Sequence, residues 1–205
     1  MSKPNYEESV FINCPFDKEY HSLFEATIFT VHDCGFIARC ASEVSDSSQV
    51  RIDKIFQIIS DCKYGIHDIS RTQLDKTNNL PRFNMPLELG MFLSAKRFGN
   101  SQQKQKLCLI VDTEKFRYQK FCSDIAGQDI SAHNDNEDKL IKVVRDWLND
   151  SISNIRIPSG SKMCERYHLF ENDLPLYCQT FKKEKTELTF IDFRNLVIEW
   201  LKDNS

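Results

Sequence analysis

Leu107-Cys108-Leu109-Ile110-Val111 is an unbroken apolar run. A run this short, bounded by polar residues, reads as a fully buried strand. Working back toward the N-terminus, Tyr64-Gly65-Ile66-His67-Asp68-Ile69 reads as another strand and Phe36-Ile37-Ala38-Arg39 as a third. Ser9-Val10-Phe11-Ile12-Asn13 is a fourth, ended by Cys14-Pro15. Helical spacing fills the intervals. Asp17 is placed as the N-cap of a helix carrying Tyr20, Leu23, Phe24, Thr27, Ile28 and Val31, which Gly35 stops. After a polar loop, Ser42 to Ser48, Ile52, Ile55, Phe56, Ile58 and Ile59 mark a second helix. A long loop from Ser70 to Phe83 leads to a third helix with Leu87, Leu89, Met91, Phe92 and Leu93. Downstream, residues 113–123 read as helical, Asp129-Ile130-Ser131 as a weak strand, and Glu137 to Leu148 as an amphipathic helix.

Strands alternating with helices imply βαβ units and a parallel sheet. The expected architecture is therefore α/β and flavodoxin-like, doubly wound, with strand order 2-1-3-4-5. A linker through Ser151, Ser153, Pro158, Ser159 and Gly160 separates this domain, residues 8–150, from a C-terminal helical extension, residues 151–205. Two helices are expected there. One runs from about Ser161 to Phe181 with a kink at Pro175, and one starts at Thr189 with Asp192 as a capping-box partner. The large side chains Phe190, Phe193, Val197, Trp200 and Leu201 exceed what a complete sheet domain needs, which favours a homo-oligomer.

Apolar residues make up 40% of the chain and charged residues 28%, a globular balance. The net charge of -3 argues against a dedicated nucleic-acid binder. None of the eight cysteines forms a CxxC pair, which argues against zinc, so no metal is expected. Several sit in apolar runs and read as buried free thiols of a cytoplasmic protein. The opening Met1-Ser2-Lys3-Pro4-Asn5 lacks an apolar run, and no stretch is long enough to span a membrane. Lys104, Lys106, Lys182, Lys183 and Lys185 are expected on solvated faces.

An open parallel sheet binds ligands beyond the carboxyl ends of its strands. That rule singles out Asn13, Cys14, Pro15, Phe16 and Asp17 after the first strand, Arg39 after the second, Asp68, Ser70 and Arg71 after the third, and Asp112 after the fourth. The third helix starts at the same edge with Asn84-Met85-Pro86-Leu87-Glu88-Leu89-Gly90. With Asn84 as N-cap and Pro86 in the first turn, Glu88 closes that turn, where the helix dipole favours an ionised carboxylate. Such a group beside a cleft can attack or stabilise an electron-poor sugar carbon; equally, it can be a dipole-complementing surface residue. Arg39 and Arg71 suit phosphate or an ion pair with a loop acid, and Asp68 suits a ligand or a loop hydrogen bond. His67 alternates away from Asp68 and reads as a packed core histidine. No glycine-rich phosphate loop follows the first strand, which argues against a dinucleotide-dependent dehydrogenase and a P-loop NTPase.

Val10-Phe11-Ile12-Asn13-Cys14-Pro15-Phe16-Asp17 resembles the opening strand and turn of nucleoside 2-deoxyribosyltransferases. Asn84 to Leu93, with its Glu-Leu-Gly core, resembles a segment of that family and of bacterial TIR-like predicted nucleotide-binding proteins. Phe121-Cys122-Ser123-Asp124-Ile125-Ala126-Gly127 is similar to a segment of some TIR-like effectors. The resemblance spans roughly residues 8 to 132 and implies that Glu88 is the catalytic carboxylate. It also implies that Asp53 contacts substrate. On that basis the expected function is cleavage of a nucleotide's N-glycosidic bond, with NAD (or NADP) as substrate rather than cofactor and a role in bacterial antiphage defence. Asp68 and Asp53 would hold ribose hydroxyls, Phe16 a ring, and Arg39 or Arg71 phosphate, with Asn13, Ser70 and Asn84 also lining the site. Nicotinamide leaves as a neutral molecule without a general acid, which favours NAD over a nucleoside. The alternative is a non-catalytic nucleotide-binding or signal-sensing module using the same crevice.

Overall fold

The computed structural model of the chain describes residues 5–43, 46–74, 79–152 and 157–205. Five strands, β1 (Ser9–Asn13), β2 (Ile37–Arg39), β3 (Tyr64–Asp68), β4 (Leu107–Asp112) and β5 (Ile130–Ala132), form one all-parallel sheet in the order β2-β1-β3-β4-β5. The expected topology is thus observed. Six α-helices among the described residues surround it: α1 (His21–Asp33), α2 (Arg51–Asp61), α3 (Asn84–Phe98), α4 (Glu137–Asp150), α5 (Gly160–Thr180) and α6 (Phe190–Asp203).

Strand alternation divides the core. Val10, Ile12, Tyr64, Ile66, Leu109 and Val111 face α1 and α4, whereas Phe11 faces α2 and α3 with Ile55, Ile58, Ile59 and Phe92. Helices α5 and α6 lie over α1 and share its core, so α1 is buried between the sheet and a further helical layer. Phe29 stands 5.3 Å from Phe170 and 5.7 Å from Trp200 across that layer. Arg166 pairs with Asp33 at the end of α1 at 2.9 Å, and Trp200 Nε1 donates to Asp173 at 2.9 Å.

These contacts correct one expectation. Phe190, Phe193, Val197 and Trp200 are buried within the chain, so they offer no surface for self-association. The expectation of a homo-oligomer thereby loses the basis on which it was drawn. The capping box at Thr189 and Asp192 forms as the sequence indicates. α5 runs through Pro175 without ending. Gly35 adopts φ +83° after α1 and donates to His32 O, the left-handed helix stop its position called for.

Other local readings change. Asp17 accepts from the Tyr20 amide at 3.0 Å, but it caps only the turn that precedes α1, whose N-cap is Tyr20. Residues 113–123 are not an α-helix; two short 3₁₀ turns, Arg117–Lys120 and Ser123–Ile125, occupy the region, and Phe116 sits at φ 63°. Lys106 is not solvated. It is buried beneath α2, donates to Ile59 O at 2.6 Å and to Cys62 O, and lies 4.6 Å from the Phe92 ring centroid. It closes the carbonyl end of α2, where a cation complements the helix dipole. All eight cysteines are free thiols. Ser153 of the linker lies outside the described residues, as do parts of the loops 42–48 and 70–83. No helix among the described residues is long and apolar enough to cross a membrane.

Candidate functional site

The inward stripe of α3 is Met85, Glu88, Leu89 and Phe92, all buried and at helical spacing. Gly65 on β3 sets how close that stripe comes. A Cβ there would lie 2.7 Å from the Phe92 ring, so only glycine admits this approach. One turn before Phe92, the same stripe carries Glu88 to the carboxyl edge of the sheet. Asn13 at the end of β1 locks the first turn of α3, its Nδ2 donating to Met85 O at 2.8 Å. The same Nδ2 lies 3.0 Å from His67 Nδ1, so the imidazole proton belongs on Nε2. Burial, reinforced by the Lys106 charge, lowers the His67 pKa to about 3, leaving a neutral core histidine between Phe11 and Phe92.

Glu88 is only 8% exposed. Among the described residues no donor or ion-pair partner meets its carboxylate. Burial raises its pKa to about 7 against the opposing charge of Arg51. The helix start also differs from the expectation. Asn84 does not cap α3: Phe83 holds the N-cap place without a side-chain bond, and Asn84 is the exposed first helical residue. Glu88 is therefore the fifth residue, past the first turn, where dehydration outweighs the dipole.

Asp68, at the end of β3, is built oppositely. Tyr20 Oη donates to Oδ2 at 2.6 Å, and the Ser70 amide donates to Oδ1 at 2.8 Å. His133 Nε2 stands 3.1 Å from Oδ2. The Asp135 amide donates to His133 Nδ1 at 3.0 Å, which puts the imidazole proton on the Asp68 side. Burial alone would raise the Asp68 pKa, but His133, Ser70 and Tyr20 together hold it below the usual carboxylate value. Both Asp68 and Glu88 add to the negative field that, after burial itself, raises the Cys14 thiol, so the two carboxyls share one neighbourhood.

Arg117 pins the same edge. Its Nε donates to Asp112 at 2.7 Å, and its Nη2 donates to Ile69 O and Ser70 O at 2.9 and 2.7 Å. Tyr20, His133 and Arg117 escaped sequence reading. Tyr20 hides in a helical apolar pattern. His133 follows the weakest strand, although the rule of carboxyl ends applied to β5 would have found it.

The remaining candidates divide. Ser70 is fully buried, and its hydroxyl has no partner among the described residues. Arg71 Nη2 lies 3.8 Å from Asp135. Phe16 is half exposed and meets Phe24 edge-on at 5.3 Å. Asp53 is exposed in the first turn of α2. Arg39 is turned away: Glu43 holds its Nε at 2.7 Å, and it feels the charge of Asp61 at the other end of α2. No group of three or more His, Cys, Asp or Glu among the described residues is placed to hold a metal. A shallow depression of about 510 Å³, lined by His32, Phe36, Ile198 and Leu201, lies where α1 and α6 end, at the opposite edge of the sheet. No family model matches the chain, and no curated protein or solved structure matches it.

Proposed function

We propose that the chain cleaves the N-glycosidic bond of a nucleotide, with NAD as substrate and nicotinamide as leaving group. The observation that carries this is the pair of edge carboxyls pushed in opposite directions: Asp68, met by Tyr20, Ser70 and His133, and Glu88, met by no donor among the described residues. Oppositely tuned carboxyls are the mark of an acid–base assignment. As the bond between C1′ and the ring nitrogen breaks, its electrons stay with nicotinamide, which leaves uncharged, and positive charge grows on the ribosyl carbon. An anion that no protein donor satisfies is most strongly stabilised by that charge, because the interaction appears only as the reaction proceeds. Water then adds to C1′ and gives its proton to Glu88, a good acceptor near neutral pH. Asp68, with its oxygens already engaged, contributes a fixed negative field and holds the edge in register.

Release of nicotinamide from NAD by the purified chain tests the reading. The initial rate should rise through about pH 7 as Glu88 ionises. Calorimetric binding of NAD with no release at any pH would favour the signal-sensing module instead.

A further inference from the structure

Arg51 occupies a place that the description of the two carboxyls leaves unused. It opens α2, is itself exposed, and lies on the same stripe as Ile55 and Ile58, which face the sheet, so it stands at the carboxyl edge. Asp53, two residues on, falls on the outer side of the helix and is exposed. The Arg51 charge reaches Glu88 and offsets part of its dehydration. Among the described residues Arg51 makes no hydrogen bond or ion pair, whereas Arg39 is held by Glu43, Arg71 faces Asp135, and Arg117 is bound to Asp112.

The backbone around it is also open. The N-caps of α2 and α3 are Val50 and Phe83, and neither end carries a side-chain cap. Helix starts leave their leading N–H groups without intrahelical acceptors, and their dipoles favour an anion. Both helices exceed ten residues and pack together on the same face of the sheet. Beside these two ends lies Glu88, more than nine-tenths buried and unpartnered. Val50, Phe83 and Leu87 are exposed beside these two helix starts, at 62%, 55% and 55%. A site with a cation, two open helix ends, a lone carboxylate and an apolar rim fits a molecule joining phosphate, sugar and flat ring.

We propose that the N-terminal ends of α2 and α3 form an anion subsite, in which Arg51 and the leading backbone amides bind the phosphate of a nucleotide. It deepens the glycosidase reading by assigning the phosphate end to Arg51 rather than to Arg39 or Arg71, and it places the ribose between Arg51 and Glu88.

The test compares AMP with adenosine by isothermal titration against the full chain. Wild-type protein binds AMP more tightly than adenosine. Arg51→Gln should weaken AMP by about 10- to 100-fold, the loss of a charge-assisted bond to phosphate, and leave adenosine unchanged. Arg51→Lys, which keeps the charge but not the fork, should retain part of the preference. Arg97→Gln, at the far end of α3, removes the same net charge and should leave both affinities as they were. Equal wild-type affinity for AMP and adenosine overturns the proposal, as does no AMP binding. An equal loss in Arg51→Gln and Arg97→Gln overturns it too, because that pattern is a long-range charge effect. Nicotinamide release from NAD is scored separately. Its absence from the wild type would remove the glycosidase reading while the AMP comparison still decides the anion subsite.

Discussion

The two faces of the sheet treat a carboxyl group at its carboxyl edge in opposite ways. On the α1 side, Asp68 is buried and yet ionised, because a phenol, an amide and an imidazole converge on it. On the α3 side, Glu88 is nearly as buried and meets none of these. Burial alone therefore does not set the charge of either group; the donors that accompany it do. A satisfied carboxylate stiffens the edge, whereas one that no protein donor meets costs stability, and the function proposed above gives that cost a use.

The comparison breaks most visibly if Glu88 is not the reacting carboxyl. Glu88→Gln should lower kcat for nicotinamide release by about 10²–10³ while leaving nucleotide affinity near wild type. An unchanged kcat would return Glu88 to a buried structural role.

Asp68→Asn should chiefly cost stability, roughly 3 kcal/mol by chemical denaturation, because an amide keeps one accepting oxygen while donors meet both carboxylate oxygens, Tyr20 and His133 at Oδ2 and the Ser70 amide at Oδ1. The pH dependence follows from the sign of the shift. Asp68 has a folded pKa below its unfolded value, so its contribution is present above the unfolded pKa and fades as pH falls through the folded one. Asp68→Asn should remove that acid limb.

Glu88 should act with the other sign. Its folded pKa, about 7, lies above the unfolded carboxylate value, so the folded state holds the extra proton between the two. Stability should decline as pH rises from about 4 toward 7, the interval between the unfolded carboxylate and the folded Glu88. Thermal melts of Glu88→Gln across this range should be flatter than wild type and, at pH 8, no lower.

The smallest effect sharpens the account of Asp68. Tyr20→Phe removes one donor and leaves the Ser70 amide and His133 in place. A loss of about 1 kcal/mol is expected, with nicotinamide release within a few-fold of wild type. A loss as large as that of Asp68→Asn would make Tyr20 the main support.

The contrast between the two carboxyls was only half legible in sequence. Glu88 could be found because strand, loop and proline-bearing helix start fix it at the carboxyl edge. Its place in the helix is not legible there, because Asn84 has the side chain of a cap while Phe83 holds the N-cap position. Asp68 could be placed but not characterised, since two of its partners, Tyr20 and His133, come from β1's and β5's connections. Arg39 could be placed on its strand, but its ion pair with Glu43 depends on a turn of backbone that periodicity does not register.

By itself the sequence determined the order and type of most elements, and through them the parallel sheet and its order. Continuous apolar runs at Leu107 to Val111 and Val10 to Ile12, alternating with amphipathic helices, leave few ways to bury every face. It also determined the capping box at Thr189 and the stop at Gly35, because caps depend on neighbours within one turn. Only the tertiary structure decided that α5 and α6 bury their aromatics against α1, that Lys106 is buried, and that one edge carboxyl is satisfied while the other is not. Those outcomes rest on contacts between residues far apart in the chain, where hydrogen-bond supply and dehydration are set by what the fold brings near rather than by spacing along it.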